Sequence, residues 1–180
     1  MVQHTYPMNN DFKRLCRLFI DICLFKKGPS QVPNSASLLK IVFFLYFVAG
    51  TFLLSQTVEF SEAMAQAFME TLLVGFFMYL LVSFFSVKNR FNQSVTALYG
   101  SGFLMTTMSL PFVLMMGDLT DNEASTGWLG LSVFMIVFWS FIVMAHIIRE
   151  TIEKTFSVSL LLTFCYLYLS YQVIQVFRPL

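Results

Sequence analysis

The chain has 180 residues, 57% of them hydrophobic and 12% charged, with 22 Phe and a formal net charge of +1. Soluble domains carry about 25% charged residues. Here the charges cluster between long apolar runs, which excludes an ordinary soluble domain, predicts no nucleic-acid partner, and points to a polytopic membrane protein of all-α class.

Residues 1–10 read as a flexible N-terminus. Residues 1–37 hold no pure apolar stretch ending in small residues, so no cleavable signal peptide is expected. In 11–27, DFKRLCRLFIDICLFKK, the residues Phe12, Leu15, Cys16, Phe19, Ile22 and Cys23 recur at helical spacing, and Lys13, Arg14, Arg17 and Asp21 fall on the other side. A segment so charged does not cross a bilayer. It suits a short amphipathic helix lying on the inner surface, with Lys13, Arg14, Arg17, Lys26 and Lys27 toward anionic lipid heads. Packing on the inner ends of the bundle is the alternative. Gly28-Pro29 is expected to end the helix, and 28–37 to form a turn in which Asn34, Ser35 or Ser37 caps the next element.

A crossing helix needs about 20 apolar residues. Five segments qualify, at about 38–56, 64–87, 93–116, 128–148 and 156–177, joined by short connections that make neighbours antiparallel. Span three is the least apolar, with Gly100, Gly102, Pro111 and several hydroxyl residues. A re-entrant segment, leaving four spans, is therefore weighed, but Pro and Gly are tolerated in membrane helices, and a kink near Pro111 is expected.

Cytoplasmic loops collect Lys and Arg. The segment before span one, the start of that span and the two–three and four–five connections hold ten of the 11 basic residues; only Arg178 lies on the other side. The other two connections are acidic, with Glu59 and Glu62, then Asp118, Asp121 and Glu123. The N-terminus is thus expected inside and the C-terminus outside, in a membrane read as a bacterial inner membrane.

The surface segment, five close spans and small hydrophilic loops, together with CLFKKGPSQVPNSASLLK (23–40) and FNQSVTALYGSGF (91–103), resemble the Yip1 family, in particular its short bacterial branch. The DLYGP-type motif of longer members is absent, so no small-GTPase partner is carried over. The resemblance implies a non-enzymatic protein that organises membrane or binds other membrane proteins or itself, and it supplies no catalytic residue.

Two polar groups stand out within the spans. Glu70, placed about 9 Å below the outer start of span two, needs a partner or ligand at that depth. Span five offers Tyr168, Tyr171, Gln172 and Gln175 at helical spacing, followed by Arg178. A tie between spans two and five is one expectation; a site for a cation, proton or lipid head, and so a small transporter or channel, is the other. On the inner side Asn92, Tyr99, Ser101, His146 and Arg149 gather, read as interface and close-packing residues more than as a Ser–His dyad. Cys16, Cys23 and Cys165 form no CxxC and no His stands at metal spacing, so neither a disulfide framework nor a metal or other cofactor is expected. HExxH and Walker motifs are absent too, and no enzyme activity is expected.

Overall fold

The structure, a computed structural model, describes the backbone of residues 8–118 and 123–177 and the side chains of 13–116 and 127–176. Among the described residues six α-helices follow in order: α1 (Met8–Cys23), α2 (Ala36–Leu54), α3 (Phe60–Phe84), α4 (Phe91–Asp118), α5 (Glu123–Ile152) and α6 (Phe156–Phe177). Short 3-10 turns at Pro29–Gln31 and Lys88–Arg90 precede α2 and α4. Helices α2 to α6 are each long and apolar enough to cross a membrane, so the chain is a five-span membrane protein with a separate amphipathic helix in front.

The least apolar span is the centre of the bundle. Ser94 to Ser101 on α4 are buried without a break, and α4 touches every other helix except α6 closely. Most of its buried hydroxyls find partners inside protein that lipid would not offer, Thr96 Oγ1 being buried without one. Ser94 and Thr151 share a hydroxyl hydrogen bond of 2.8 Å, and Ser101 Oγ donates to the carbonyl of Ala97 at 2.8 Å. α4 runs as one 28-residue helix through Pro111, which rejects the re-entrant alternative. The lipid-facing shell is apolar by contrast, with Phe44, Phe76, Phe134, Phe138 and Leu161 all exposed.

Two glycines of α4 are close-approach positions on opposite faces. A Cβ on Gly100 would run into the ring of Phe19, and one on Gly102 would lie 2.7 Å from Tyr46 Cε2. The first receives α1, the second α2.

α1 begins at Met8, three residues before the expected start, and ends at Cys23, well before Gly28-Pro29. Its end is a Schellman motif: Lys26 N–H donates to the carbonyl of Asp21 at 2.9 Å, Phe25 N–H to that of Ile22 at 3.0 Å, and Phe25 takes φ 59°. A Phe replaces the usual Gly because its ring is held, with centroids 5.6 Å from Trp139 and 5.2 Å from His146. The apolar face of α1 is packed on the bundle. Leu18, Phe19, Ile22 and Cys23 are buried against the flank of α4 and α5, at a level about 14 Å along α4 from Phe91.

The segment after it is pinned as well. Gln93 Nε2 donates to the carbonyls of Ser30 (3.1 Å) and Val32 (2.8 Å), Asn92 donates to Asn34 Oδ1 at 3.1 Å, and Ser35 caps α2 through Leu38 N–H at 3.4 Å.

Candidate functional site

Glu70 sits on α3 ten residues beyond Phe60, about 15 Å along the helix, because α3 starts earlier than the hydropathy suggested. It lines a cavity of about 240 Å³ with Tyr46, Ser101, Ser140, Tyr166 and Ser170, drawn from α2, α4, α5 and α6. Gln66 Nε2 donates to Glu70 Oε1 at 3.5 Å, one turn back on the same helix. Ser101 and Thr163, also in the lining, spend their hydroxyls on backbone carbonyls of their own helices, at 2.8 Å to Ala97 and 2.8 Å to Ser159. The two phenols and the carboxylate are thus the principal chemistry facing this space. The cavity is partly open and its wall is mostly apolar, with Val74, Leu98, Met105 and Phe141 among the lining, so its few polar groups suit a water, a proton or a small cation.

The expected partners of Glu70 are elsewhere. Tyr168 is 64% and Tyr171 60% exposed, Gln172 and Gln175 are exposed, and Gln172 Nε2 donates to Tyr168 Oη at 3.3 Å. α6 instead turns Ser159, Thr163, Tyr166 and Ser170 inward, a face roughly 160° round the helix from the expected one. Amides and phenols near a helix end sit comfortably at a membrane interface; small hydroxyl residues mark the packing face. That spacing of Ser and Thr was the signal that would have found Tyr166. Tyr46, alone in an apolar helix, had none. Arg178 lies outside the described residues.

The second expected cluster separates into parts. Tyr99 is buried and donates its hydroxyl to the carbonyl of Thr71 at 2.8 Å, packed between Phe43 and Tyr46. Ser101 belongs to the Glu70 cavity, whereas His146 lines a different one, so no Ser–His dyad forms. Asn92 serves the α2 entry, as described. His146 and Arg149 do stay together, at the basic end of the bundle.

There a cavity of about 530 Å³ opens between the α1–α2 connection and the ends of α5 and α6, lined by Lys26, Lys27, His146, Arg149, Glu150 and the apolar Phe25, Ile142 and Phe156. His146 Nε2 donates to the carbonyl of Lys27 at 3.2 Å, since a carbonyl only accepts. Lys27 pairs with Asp21 at 2.8 Å and Arg149 with Glu150 at 3.0 Å. Alongside, Arg90 fastens the α3–α4 connection to α5, donating to the carbonyls of Glu150 (3.4 Å) and Thr151 (3.2 Å) and pairing with Glu153 at 2.5 Å. Of the basic residues assigned to the membrane surface, Lys13, Arg14 and Arg17 lie along α1 outside this cavity, and Lys26 and Lys27 line it.

Burial pushes the Cys23 thiol up to about 11. The Lys27 hydrogen bond, partly opposed by desolvation and aided by the charges of Lys27, Lys26 and Arg17, holds the Asp21 carboxyl below its ordinary value. Among the described residues no group of His, Cys, Asp and Glu has the geometry to hold a metal. No family model matches the chain, and neither a curated protein nor a solved structure matches it.

Proposed function

We propose that the chain is a non-enzymatic membrane protein of Yip1-like type, seated in a bacterial inner membrane with its basic end in the cytosol, that works by organising the bilayer and binding other membrane proteins or a second copy of itself. The observation that carries this reading is the setting of α1. It presses one face into the α4–α5 flank and leaves Ile20 (47%) and, just past its end, Leu24 (46%) exposed on the outer side, adding cross-section to one leaflet only. An amphipathic helix held in this way widens the leaflet it enters. The orientation follows the bias of Lys and Arg toward the α1 end. Cross-linking in native membranes, followed by identification of neighbours, is expected to recover the same integral membrane partner, or the chain itself, through α1. Recovery of random bulk proteins alone would reject the reading.

The Glu70 cavity favours a second reading, a small carrier or channel with a polar path between α3 and α6. Purified protein in liposomes separates the two: proton or cation flux abolished in Glu70→Gln supports the carrier, and a flux-free protein supports the scaffold.

A further inference from the structure

We propose that the cavity at the basic end is a binding site for the phosphate of an anionic phospholipid head group. It requires only that the chain is embedded in a membrane, and it holds for scaffold and carrier alike.

Three cations, Lys26, Lys27 and Arg149, face one carboxylate, Glu150, and that carboxylate is already engaged by Arg149. Lys27 is matched by Asp21 from α1. Lys26 has no ion pair among the described residues, although its charge reaches Asp21. The cavity therefore carries an unbalanced positive charge at the level where a bundle meets lipid heads, the setting in which basic pockets between membrane helices hold anionic heads. The neighbouring cavity of about 330 Å³ shares Arg149 and Glu150 and adds Arg90, Glu153 and Lys154; Arg90 there is committed to Glu153 and to two carbonyls of α5, and no apolar side chain lines it.

The apolar part of the lining selects the class of anion. Phe25 and Phe156 are 39% and 41% exposed, and with Ile142 they form one wall of the same space. A free phosphate has no use for that wall, whereas the glycerol and first acyl carbons of a phospholipid match it. The volume, about 530 Å³, is in the range of small-ligand sites.

The site is also preorganised. The Schellman end of α1, the bond from His146 to the Lys27 carbonyl and the Phe25–Trp139 ring contact fix the backbone that presents both lysines. Gly28 passes close to Glu150, with a Cβ position 3.4 Å from its Oε2, so the loop rests on the α5 end.

The test uses the full chain purified in a neutral detergent, with lipid retention followed by native mass spectrometry and unfolding followed by heat. Phosphatidylglycerol is expected to remain bound and raise Tm, and phosphatidylcholine of the same chain length to do neither. Lys26→Ala combined with Arg149→Ala is expected to weaken retention roughly tenfold or more. Lys26→Arg, with unchanged helix content, keeps it and guards against a folding defect. Lys13→Ala with Arg14→Ala and Arg17→Ala, outside the cavity, leaves it unchanged. Equal retention of phosphatidylcholine overturns the proposal. So does inorganic phosphate at millimolar concentration giving the same protection as the lipid, which would mean a free-anion site. Equal loss in the α1 triple variant overturns it as well, because binding would then be diffuse surface attraction.

Discussion

Among the described residues three that are not glycine, Phe25, Ser86 and Glu153, have positive φ, and each stands just past the end of a helix. At Ser86 the ending is a Schellman motif, with Val87 N–H donating to the carbonyl of Val82 at 2.8 Å and Ser86 N–H to that of Ser83 at 3.3 Å. A left-handed residue with a Cβ costs about 1 kcal/mol that glycine does not incur. Ser86→Gly is therefore expected to stabilise the protein by about that amount, read as a higher Tm in detergent; a lower Tm would mean that the serine side chain is needed. Phe25 obeys a different rule, because its ring is packed tilted against Trp139 and edge-on to His146. This is also why the end of α1 was not legible in the sequence. Gly28-Pro29 is the stronger stop signal in the chain, and only the tertiary contact makes a phenylalanine stop the helix first.

Gly100 decides the setting of α1, since Phe19 occupies the space a Cβ would need. Gly100→Ala is expected to destabilise the docked state by about 1–3 kcal/mol, the usual range for overpacking. Cys23 reports it. The thiol is buried and its pKa is about 11, so at neutral pH it is almost wholly protonated and unreactive. In a Cys16→Ser, Cys165→Ser background, alkylation of Cys23 should be slow, and Gly100→Ala should accelerate it several-fold; unchanged labelling would show that α1 is not held there. A pH effect belongs to the same element. Asp21, lowered from 3.8 in the folded state chiefly by Lys27, contributes stability above that value and loses it as pH falls through the lower folded one. Trp139 fluorescence, next to Phe25, should change in that acid window and stay flat in Asp21→Asn; an identical acid response in the variant would remove Asp21 from the account. The amphipathic period of α1 was plain in the sequence, but not its depth. Period tells which face is apolar, and only Gly100 on another helix tells what receives it.

For the whole molecule, five spans follow from hydropathy because length and apolar content are local properties. The central place of α4 was only half legible: its hydroxyls made it look least like a span, and they are what a helix surrounded by helices carries. The face of α6 was not legible from polarity. Exposed phenols and amides at an interface and buried ones in a bundle have the same composition, and Ser159, Thr163 and Ser170 had to be weighed as packing residues. Glu70 was found as a lone carboxylate, but its surroundings depend on that rotation of α6 and on Tyr46 from α2.

In the proposed orientation, alternate crossings gather the cationic connections, α1 and the lipid-head cavity on the cytosolic side. With the native cysteines replaced, single cysteines at Thr57, Asn89 and Thr155 test it through an impermeant maleimide on intact cells. Thr57 should label at once, and Asn89 and Thr155 only after the membrane is opened. Labelling of Asn89 or Thr155 from outside, or protection of Thr57, would contradict it.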